Sequence, residues 1–520
     1  MVVQRVMSGI ALDTDGEAVF RIREPDLARL EQHLFQRYPE REWGTFFRFG
    51  YRRTSWGLLI CYVDGLWPEA GDLDRSTPLT TFREQYSRRA FHAAQNADGI
   101  AIGVAHSHPR GYATRPSPLD DDMDSYFARE FSAYGNGAPY CSLIFQRNET
   151  TGLTFSGRAF DRGRWLAVET AFAAGTTIRR FESELVPRRQ SSLGVDSGAE
   201  STTERLQQVL GEPSRRRLQA STVAVIGCSG TGSPAIETLV RAGVGNLILV
   251  DPERLSPSNL ERVHGSTWDH LQRPIKPFKA EILRDLALSI NPDVRVTPLV
   301  GNVLHENVVD ELVRCDAVLG CTDTVHGRVA LSDLANHYLV TALDVGVRMN
   351  GSAGRVTEQL IEFNLLVPGL PCPFCGGRVS PDQLAYELMS EQEREARRQA
   401  AEDARRRGDD ADQYWRGRPR QLHTVGYLTT AAGALAAGYV EGMLTGTFEP
   451  PHAGFQFDVG CERFGFVTPP HEHLAGCNCR NHLGWAQQGR AFKNVSVPEH
   501  WPRRAMLLPS ATTGGAKRLA

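Results

Sequence analysis

Residues 223–263 read VAVIGCSGTGSPAIETLVRAGVGNLILVDPERLSPSNLERV. An apolar run, a glycine turn, an amphipathic run and a second apolar run ending on an acid predict strand Val223–Gly227, helix Ser233–Ala242 and strand Asn246–Asp251. Further on, Lys279–Ile290 reads as a helix, and Val294–Val300 and Ala317–Gly320 read as two more strands. Strands alternating with helices predict an α/β fold with a doubly wound parallel sheet. Gly227, Gly230 and Gly232 would let the backbone approach phosphates at a helix N-terminus, and Asp251 ends the second strand, where an acid meets a ribose hydroxyl. Alone, such a loop fits a nicotinamide-dependent oxidoreductase equally well.

The 520 residues allow several domains, and 58 Lys+Arg against 61 Asp+Glu give a net charge of -3. That balance argues against a nucleic-acid binder or a polybasic membrane anchor. The N-terminus has no apolar core long enough for a signal peptide, and Val425–Val440 is too short and too rich in Ala, Gly and Thr to span a bilayer. The expectation is a cytoplasmic protein with Val425–Val440 as a buried helix. VPRRQSSLGVDSGAESTT, residues 186–203, reads as a linker between a first domain, 1–185, and a second, 204–480. In the first, Pro25–Arg37 reads as helix and Gly57–Val63, Ile100–Val104 and Tyr140–Phe145 as strands. Residues 381–420 interrupt the second domain with a charged helix that is either solvated or a partner-binding lid, and 481–520 reads as a patternless tail.

In AIGVAHSHPRGYATRPSPLDDDMD, His106 and His108 are two apart, so on extended chain their imidazoles share a side. Asp120, after a proline-rich loop, can supply a third ligand; Asp121, Asp122 and Asp124 crowd the same region. Two histidines, a carboxylate and water make an open catalytic zinc site. Glu42 is the candidate proton carrier, with Glu40 as competitor, and Ser117 can donate to an oxyanion. The pattern Glu…His-x-His-Pro…Ser-x-x-Asp resembles the JAB/JAMM metalloproteases, which release ubiquitin-like proteins from conjugates or trim their C-termini. The resemblance implies a JAB/MPN-type α/β domain in which His106, His108 and Asp120 bind catalytic zinc, Glu42 is the general acid/base and Ser117 the oxyanion donor. The stretch between Pro109 and Ser117 is a residue longer than the common family spacing.

Beyond the glycine loop, Asn259, Arg262, Lys279 and Asp323 supply cations and a magnesium ligand suited to a triphosphate, the parts with which a carboxylate can attack an α-phosphate and expel pyrophosphate. Gly-x-x-Gly-x-Gly, Asp-x-Glu-x-x-x-x-Ser-Asn-Leu-x-Arg, Lys-Ala-Glu and Cys-Thr-Asp-x-x-x-x-Arg together resemble the ubiquitin-activating (ThiF/MoeB) superfamily from about Arg205 to Cys479. The resemblance implies ATP-dependent adenylation of the C-terminal glycine of a ubiquitin-like or sulfur-carrier protein. Asp251 would bind the ribose, Asn259, Arg262 and Lys279 the phosphates, and Asp323 magnesium. It implies a homodimer too, with Arg205 reaching the partner subunit's site, although Leu206 stands where the family has Gln.

Ten cysteines are too few for a disulfide scaffold, and two close pairs, Cys372/Cys375 and Cys477/Cys479, suggest metal. By the same resemblance they would close a structural zinc, with His471 or His473 as possible substitutes for one ligand. The expected whole is a bifunctional enzyme that trims or releases a ubiquitin-like protein and activates its C-terminus, using two zinc ions, ATP and magnesium, with a conjugating enzyme as a candidate further partner. The alternatives are the same steps on a ThiS- or MoaD-like sulfur carrier, or a module that only binds such a protein. The acyl group can pass directly to a downstream acceptor, to Cys461 or another scattered cysteine, or to a Ser or Thr with a nearby base.

Overall fold

The structure is a computed structural model that describes residues 9–74, 79–95, 99–148, 152–186, 203–352, 354–415, 424–449, 454–459, 466–467, 472–486 and 491–509. The linker expected at 186–203 therefore lies almost wholly outside the described residues. The chain divides into two compact units. One is Met1–Val195 with Asn336–Leu339 and His482–Arg490; the other is Asp196–Ala335 with Val340–Asn481 and Ala491–Ala520.

In the first unit, eight strands form one sheet: β1 (Asp13–Arg23), β2 (Gly44–Arg53), β3 (Gly57–Leu66), β4 (Ile100–Ser107), β5 (Tyr140–Asn148), β6 (Gly152–Asp161), β7 (Arg164–Ala174) and β8 (Ile178–Glu182), in the order β1-β3-β2-β4-β5-β6-β7-β8. β1 pairs in parallel with both β3 and β7, so the pairings run in a closed circuit with β8 attached to β7. Side-chain alternation divides the core. Phe47, Phe49, Ala101 and Ala105 join one apolar cluster, while Phe46, Ile102 and Val104 join another with Phe127 and Phe131 of the helix Pro118–Tyr134. His106 continues the second series, which directs it to the face this helix covers.

The second unit carries β9 (Thr222–Ile226), β10 (Asn246–Val250), β11 (Arg295–Val300), β12 (Ala317–Gly320), β13 (Ala342–Ser352), β14 (Arg355–Leu366), β15 (Gly454–Asp458), β16 (Phe466–Val467) and β17 (Met506–Leu507), in the order β16-β15-β14-β13-β12-β9-β10-β11-β17. The five central strands are parallel, and β14, β15, β16 and β17 add antiparallel edges. Read as β11-β10-β9-β12-β13, the parallel core has the 3-2-1-4-5 order of a doubly wound sheet. Its topological switch point falls between β9 and β12, where ligands bind such sheets.

Two expectations change. Part of 481–520 is patterned: β17 pairs with β11, and Asp333 accepts from the Asn494 backbone N–H at 2.9 Å. No apolar periodicity announces these short edge contacts, so they do not register as an element. The charged helix Glu391–Arg407 forms, but Ala401 and Ala404 on one side are buried against Ala411 and Tyr414. No helix among the described residues is long and apolar enough to cross a membrane.

Candidate functional sites

In the first unit, β4 ends at Ser107, with His106 and His108 on one side and Ser107 on the other. Ser107 fixes this register: its hydroxyl donates to Leu34 O at 2.7 Å and accepts from Trp43 N–H at 3.2 Å. β2 runs antiparallel to β4 with Gly44 opposite His106, so Glu42, two residues before Gly44, extends beside the histidines. A side chain at Gly44 would place Cβ 3.1 Å from His106 Cβ and 2.7 Å from Thr80 Cγ2, so Thr80 would have to shift to admit it. Asp120 arrives from the first turn of the helix Pro118–Tyr134, where Ser117 is the N-cap. Asp120 N–H donates to Ser117 Oγ at 3.3 Å, and Ser117 N–H donates to Asp120 Oδ2 at 2.6 Å.

His106 Nε2 lies 3.1 Å from Asp120 Oδ1, and His108 Nε2 lies 3.6 Å from Asp120 Oδ2 and 4.0 Å from Glu42 Oε1. All three of His106, His108 and Asp120 are buried. Among the described residues Asp120 is the group closest to His106 Nε2, and no well-directed hydrogen bond is made by either ring nitrogen. One potential ligand atom from each of His106, His108 and Asp120 lies within 4.8 Å of the others, a spacing that one ion could bridge. Burial resists charge on His106, but Asp120 outweighs it and raises the imidazole's pKa. Burial likewise opposes the Asp120 carboxylate, yet the two histidines hold it well below the usual carboxylate range. His108 Nδ1 faces Ala113 O at 2.7 Å, which leaves Nε2 for the cluster. Glu42 Oε2 accepts from Thr80 N–H at 3.0 Å, and Oε1 remains toward His108.

Among the acids at this turn, Asp120 is the one grouped with the histidines. Asp121 and Asp124 belong to Arg158 instead: Nη1 is 2.5 Å from Asp121 Oδ1 and Nε donates to Asp124 Oδ2 at 2.7 Å. Tyr140 Oη also donates to Asp124 Oδ1 at 2.7 Å. Asp122 and Glu40 are exposed. Sequence reading missed Ser107 and Arg158; the His-Ser-His run held a signal for the first, whereas Arg158 comes from a strand far along the chain.

In the second unit, Gly227 follows β9 with φ 92°, and a Cβ on Gly232 would lie 1.8 Å from Gly227 O. The turn is thus tight enough to exclude side chains at both places. Asp251 spans it: Oδ2 accepts from Cys228 N–H at 2.7 Å and Oδ1 from Glu253 N–H at 2.8 Å. Burial raises the pKa of Asp251, with Lys279 acting the other way. Lys279 opens the helix Lys279–Ile290, is buried, and pairs with Glu253, whose part was not foreseen. Asn259 Oδ1 accepts from Ser256 N–H at 3.0 Å, which braces the loop before Arg262. A Cβ on Gly230 would lie 2.9 Å from Arg262 Cδ, so the arginine stem lies over the glycine turn. Asp323 is exposed just beyond β12, across the switch point, and its charge acts on Arg328. Arg205 is exposed on the helix Glu204–Ala220 and forms no ion pair with the other candidates among the described residues.

Cys372, Cys375, Cys477 and Cys479 converge in the same unit. Their sulfurs are 3.5 Å apart for Cys372–Cys477, 3.6 Å for Cys375–Cys479, 3.7 Å for Cys372–Cys375 and 3.3 Å for Cys477–Cys479. These spacings exceed a disulfide bond of about 2.05 Å and approach the edge of about 3.8 Å of a tetrahedron with 2.3 Å Zn–S bonds. The donor set fits a structural zinc. His473 Nδ1 lies 3.3 Å from Cys479 Sγ; His471 and Cys461 lie outside the described residues.

Over 135 residues the chain is 34% identical to the sulfur carrier protein ThiS adenylyltransferase of Escherichia coli (strain K12), covering 25% of this chain and 52% of that protein. It is 30% identical over 166 residues to the SAMP-activating enzyme E1 of Haloferax volcanii, covering 32% of this chain and 57% of that protein. The chain thus spans about half the length of these curated relatives. The solved structure of the microcin C7 biosynthetic enzyme MccB in complex with N-formylated MccA matches at TM-score 0.41 and 16% identity, covering 54% of this chain and 75% of that one. The sequence model of the ThiF family matches residues 202–479, which is 278 of 520 positions, and the chain belongs to the ThiF family.

Proposed function

We propose that the second unit uses ATP and magnesium to adenylate the C-terminal glycine carboxylate of a small ubiquitin-like or sulfur-carrier protein. One observation carries this reading: the Asp251 carboxylate is drawn across the glycine turn, with buried Lys279 close by and Arg262 over Gly230. An acid for a ribose hydroxyl, a glycine turn at a helix N-terminus and two cations suit a nucleoside triphosphate. Charge building up on the α-phosphate as the carboxylate attacks would be met by Lys279 and Arg262, while Asp323 would hold magnesium and Asn259 would order the loop. Arg205 would act from a second copy in a homodimer. The relative named for the sulfur carrier protein ThiS favours a carrier of that kind as substrate. Cys228 and Cys321, which flank the turn, have thiol pKa values pushed up by burial, so neither is a ready thiolate for accepting the product.

The test is exchange of labelled pyrophosphate into ATP in the presence of carriers ending in Gly-Gly. Wild type should catalyse exchange, and Lys279→Ala and Asp323→Ala should each lower it by about two to three orders of magnitude. Folded wild-type protein that exchanges with no such carrier would overturn the reading.

A second reading concerns the first unit, where His106, His108 and Asp120 suit a catalytic zinc and support a metallopeptidase acting after a ubiquitin-like glycine. Zinc held there would polarise the scissile carbonyl and acidify a water. Glu42 Oε1 would take the proton and return it to the leaving amine, and the Ser117 hydroxyl, which lies beside the Asp120 carboxylate, would turn its proton to an oxyanion. Cleavage of a carrier extended beyond Gly-Gly should stop in Glu42→Ala while pyrophosphate exchange continues, and Asp323→Ala should do the reverse.

A further inference from the structure

Three side chains from three elements of the second unit line up close to the nucleotide turn. Glu237, on the helix Gly232–Arg241, places Oε2 2.9 Å from His264 Nδ1, and His264 Nε2 lies 3.1 Å from Thr430 Oγ1 on the helix Gly426–Thr445. We propose that Thr430 is a nucleophile activated by His264 and Glu237, and that it accepts the acyl group from the adenylate; this rests on the adenylation reading above.

The order acid, imidazole, hydroxyl is the one that activates a weak nucleophile. An ionised carboxylate only accepts, so the imidazole carries its proton on Nδ1 toward Glu237 and turns the Nε2 lone pair to the Thr430 hydroxyl. Glu237 stays ionised because His264, and with it Arg241, lowers its pKa. Its second oxygen is 2.8 Å from Arg241 Nη2, and His264 N–H donates to Ser233 Oγ at 3.0 Å, so acid and base are both anchored. The preceding residue supplies a contrast. Thr429 donates to carbonyls of its own helix turn, Val425 O at 3.3 Å and Gly426 O at 3.1 Å, the usual fate of a helical threonine. Thr430 instead bonds to an imidazole from another element. The side chains of His264 and Glu237 are 30% and 25% exposed, which leaves the group reachable by a substrate. The elements that carry the group also border the glycine turn: Thr429 Oγ1, on the same helix as Thr430, lies 3.0 Å from where a Cβ on Gly230 would stand, and Ser233, which accepts from His264 N–H, lies in the first turn of the helix Gly232–Arg241.

In the step, Thr430 Oγ bonds to the carbonyl carbon of the adenylated glycine and the bond from that carbon to the phosphate oxygen breaks. AMP leaves, and the hydroxyl proton passes to His264 Nε2. The product is an oxyester, and no oxidant or further reactant is needed.

The first measurement uses no carrier. The full chain is treated with a fluorophosphonate probe and mapped by mass spectrometry. Labelling should fall on Thr430, vanish in Thr430→Val, persist in Thr430→Ser, and slow at least tenfold in His264→Gln. No label on Thr430 in folded wild type, or equal rates with and without His264, would overturn the proposal. In the second, ATP-magnesium and a ThiS-like carrier ending in Gly-Gly are added. Wild type should gain the carrier mass less one water on the Thr430 peptide, stable to thiols and cleaved by hydroxylamine. Thr430→Val should lose that adduct yet keep pyrophosphate exchange. Exchange without an adduct in wild type would overturn the acyl-acceptor role alone. No exchange at all would overturn the adenylation reading, and the acyl step with it.

Discussion

The two metal-type clusters of this chain are built on opposite plans. The four cysteines come as two pairs about a hundred positions apart in sequence, every ligand position is a sulfur, and the sulfurs alone approach the corners of a tetrahedron. The histidine cluster draws on residues within one strand end and the following helix, offers three ligands, and keeps a separate carboxylate, Glu42, turned toward it without joining it. A closed sulfur set ties distant chain together and has no free position for a substrate, whereas a three-ligand set with a nearby acid leaves a position for water. The first should matter to stability and the second to chemistry.

The sharpest break of that contrast is removal of one sulfur. Cys372→Ser should lower bound zinc by one per chain and destabilise the second unit by about 5 kcal/mol or more, since binding energy at a structural zinc is folding energy. Thermal unfolding together with metal analysis checks this; an unchanged melting temperature would remove the structural assignment. Next in size is the acid cluster behind the histidine site. Arg158 is buried against Asp121 and Asp124, so Arg158→Met leaves two carboxylates without their cation and should cost about 3–5 kcal/mol. His106→Ala should also lose one zinc per chain, but with a stability change of about 1–2 kcal/mol, because the site lies on a sheet that holds itself together. If His106→Ala cost as much as Cys372→Ser, the division of roles would fail.

What could be read in advance follows the same division. The parallel core was legible because each element announces itself locally, as in the run from Val223 to Asp251, where apolar strands, a glycine turn and a helical pattern succeed one another. Asp120 was legible as the acid beside the histidines from the motif, whereas the pairing of Asp121 and Asp124 with Arg158, which comes from a strand far along the chain, was not. The closing of β1 onto β7 is likewise a long-range pairing with no local mark. Glu237, His264 and Thr430 lie 27 and 166 positions apart, and a glutamate on a helix or a threonine in an alanine-rich one reads as solvated or as packing. Local order was visible, and partnerships across elements were not.

The smallest effect isolates a carboxylate that belongs to neither cluster. Glu441, part-exposed on the helix Gly426–Thr445, has its pKa pushed up by burial from 4.5 to about 7. Because the folded state binds this proton more tightly than the unfolded chain, the group contributes its full stability below pH 4.5. That contribution is lost as pH rises to about 7. Glu441→Gln keeps the shape without the ionisation, so it should match wild type near pH 4 and exceed it at pH 8 by about 1 kcal/mol, a part-exposed group being screened by solvent. Melting curves across that range decide it. A constant offset at every pH would mean that packing, and not the buried charge, distinguishes the two proteins. An effect confined to the rising limb would mark Glu441 as a carboxylate tuned by burial alone, unlike Asp251, which Lys279 pulls the other way, or Asp120, which two imidazoles hold ionised.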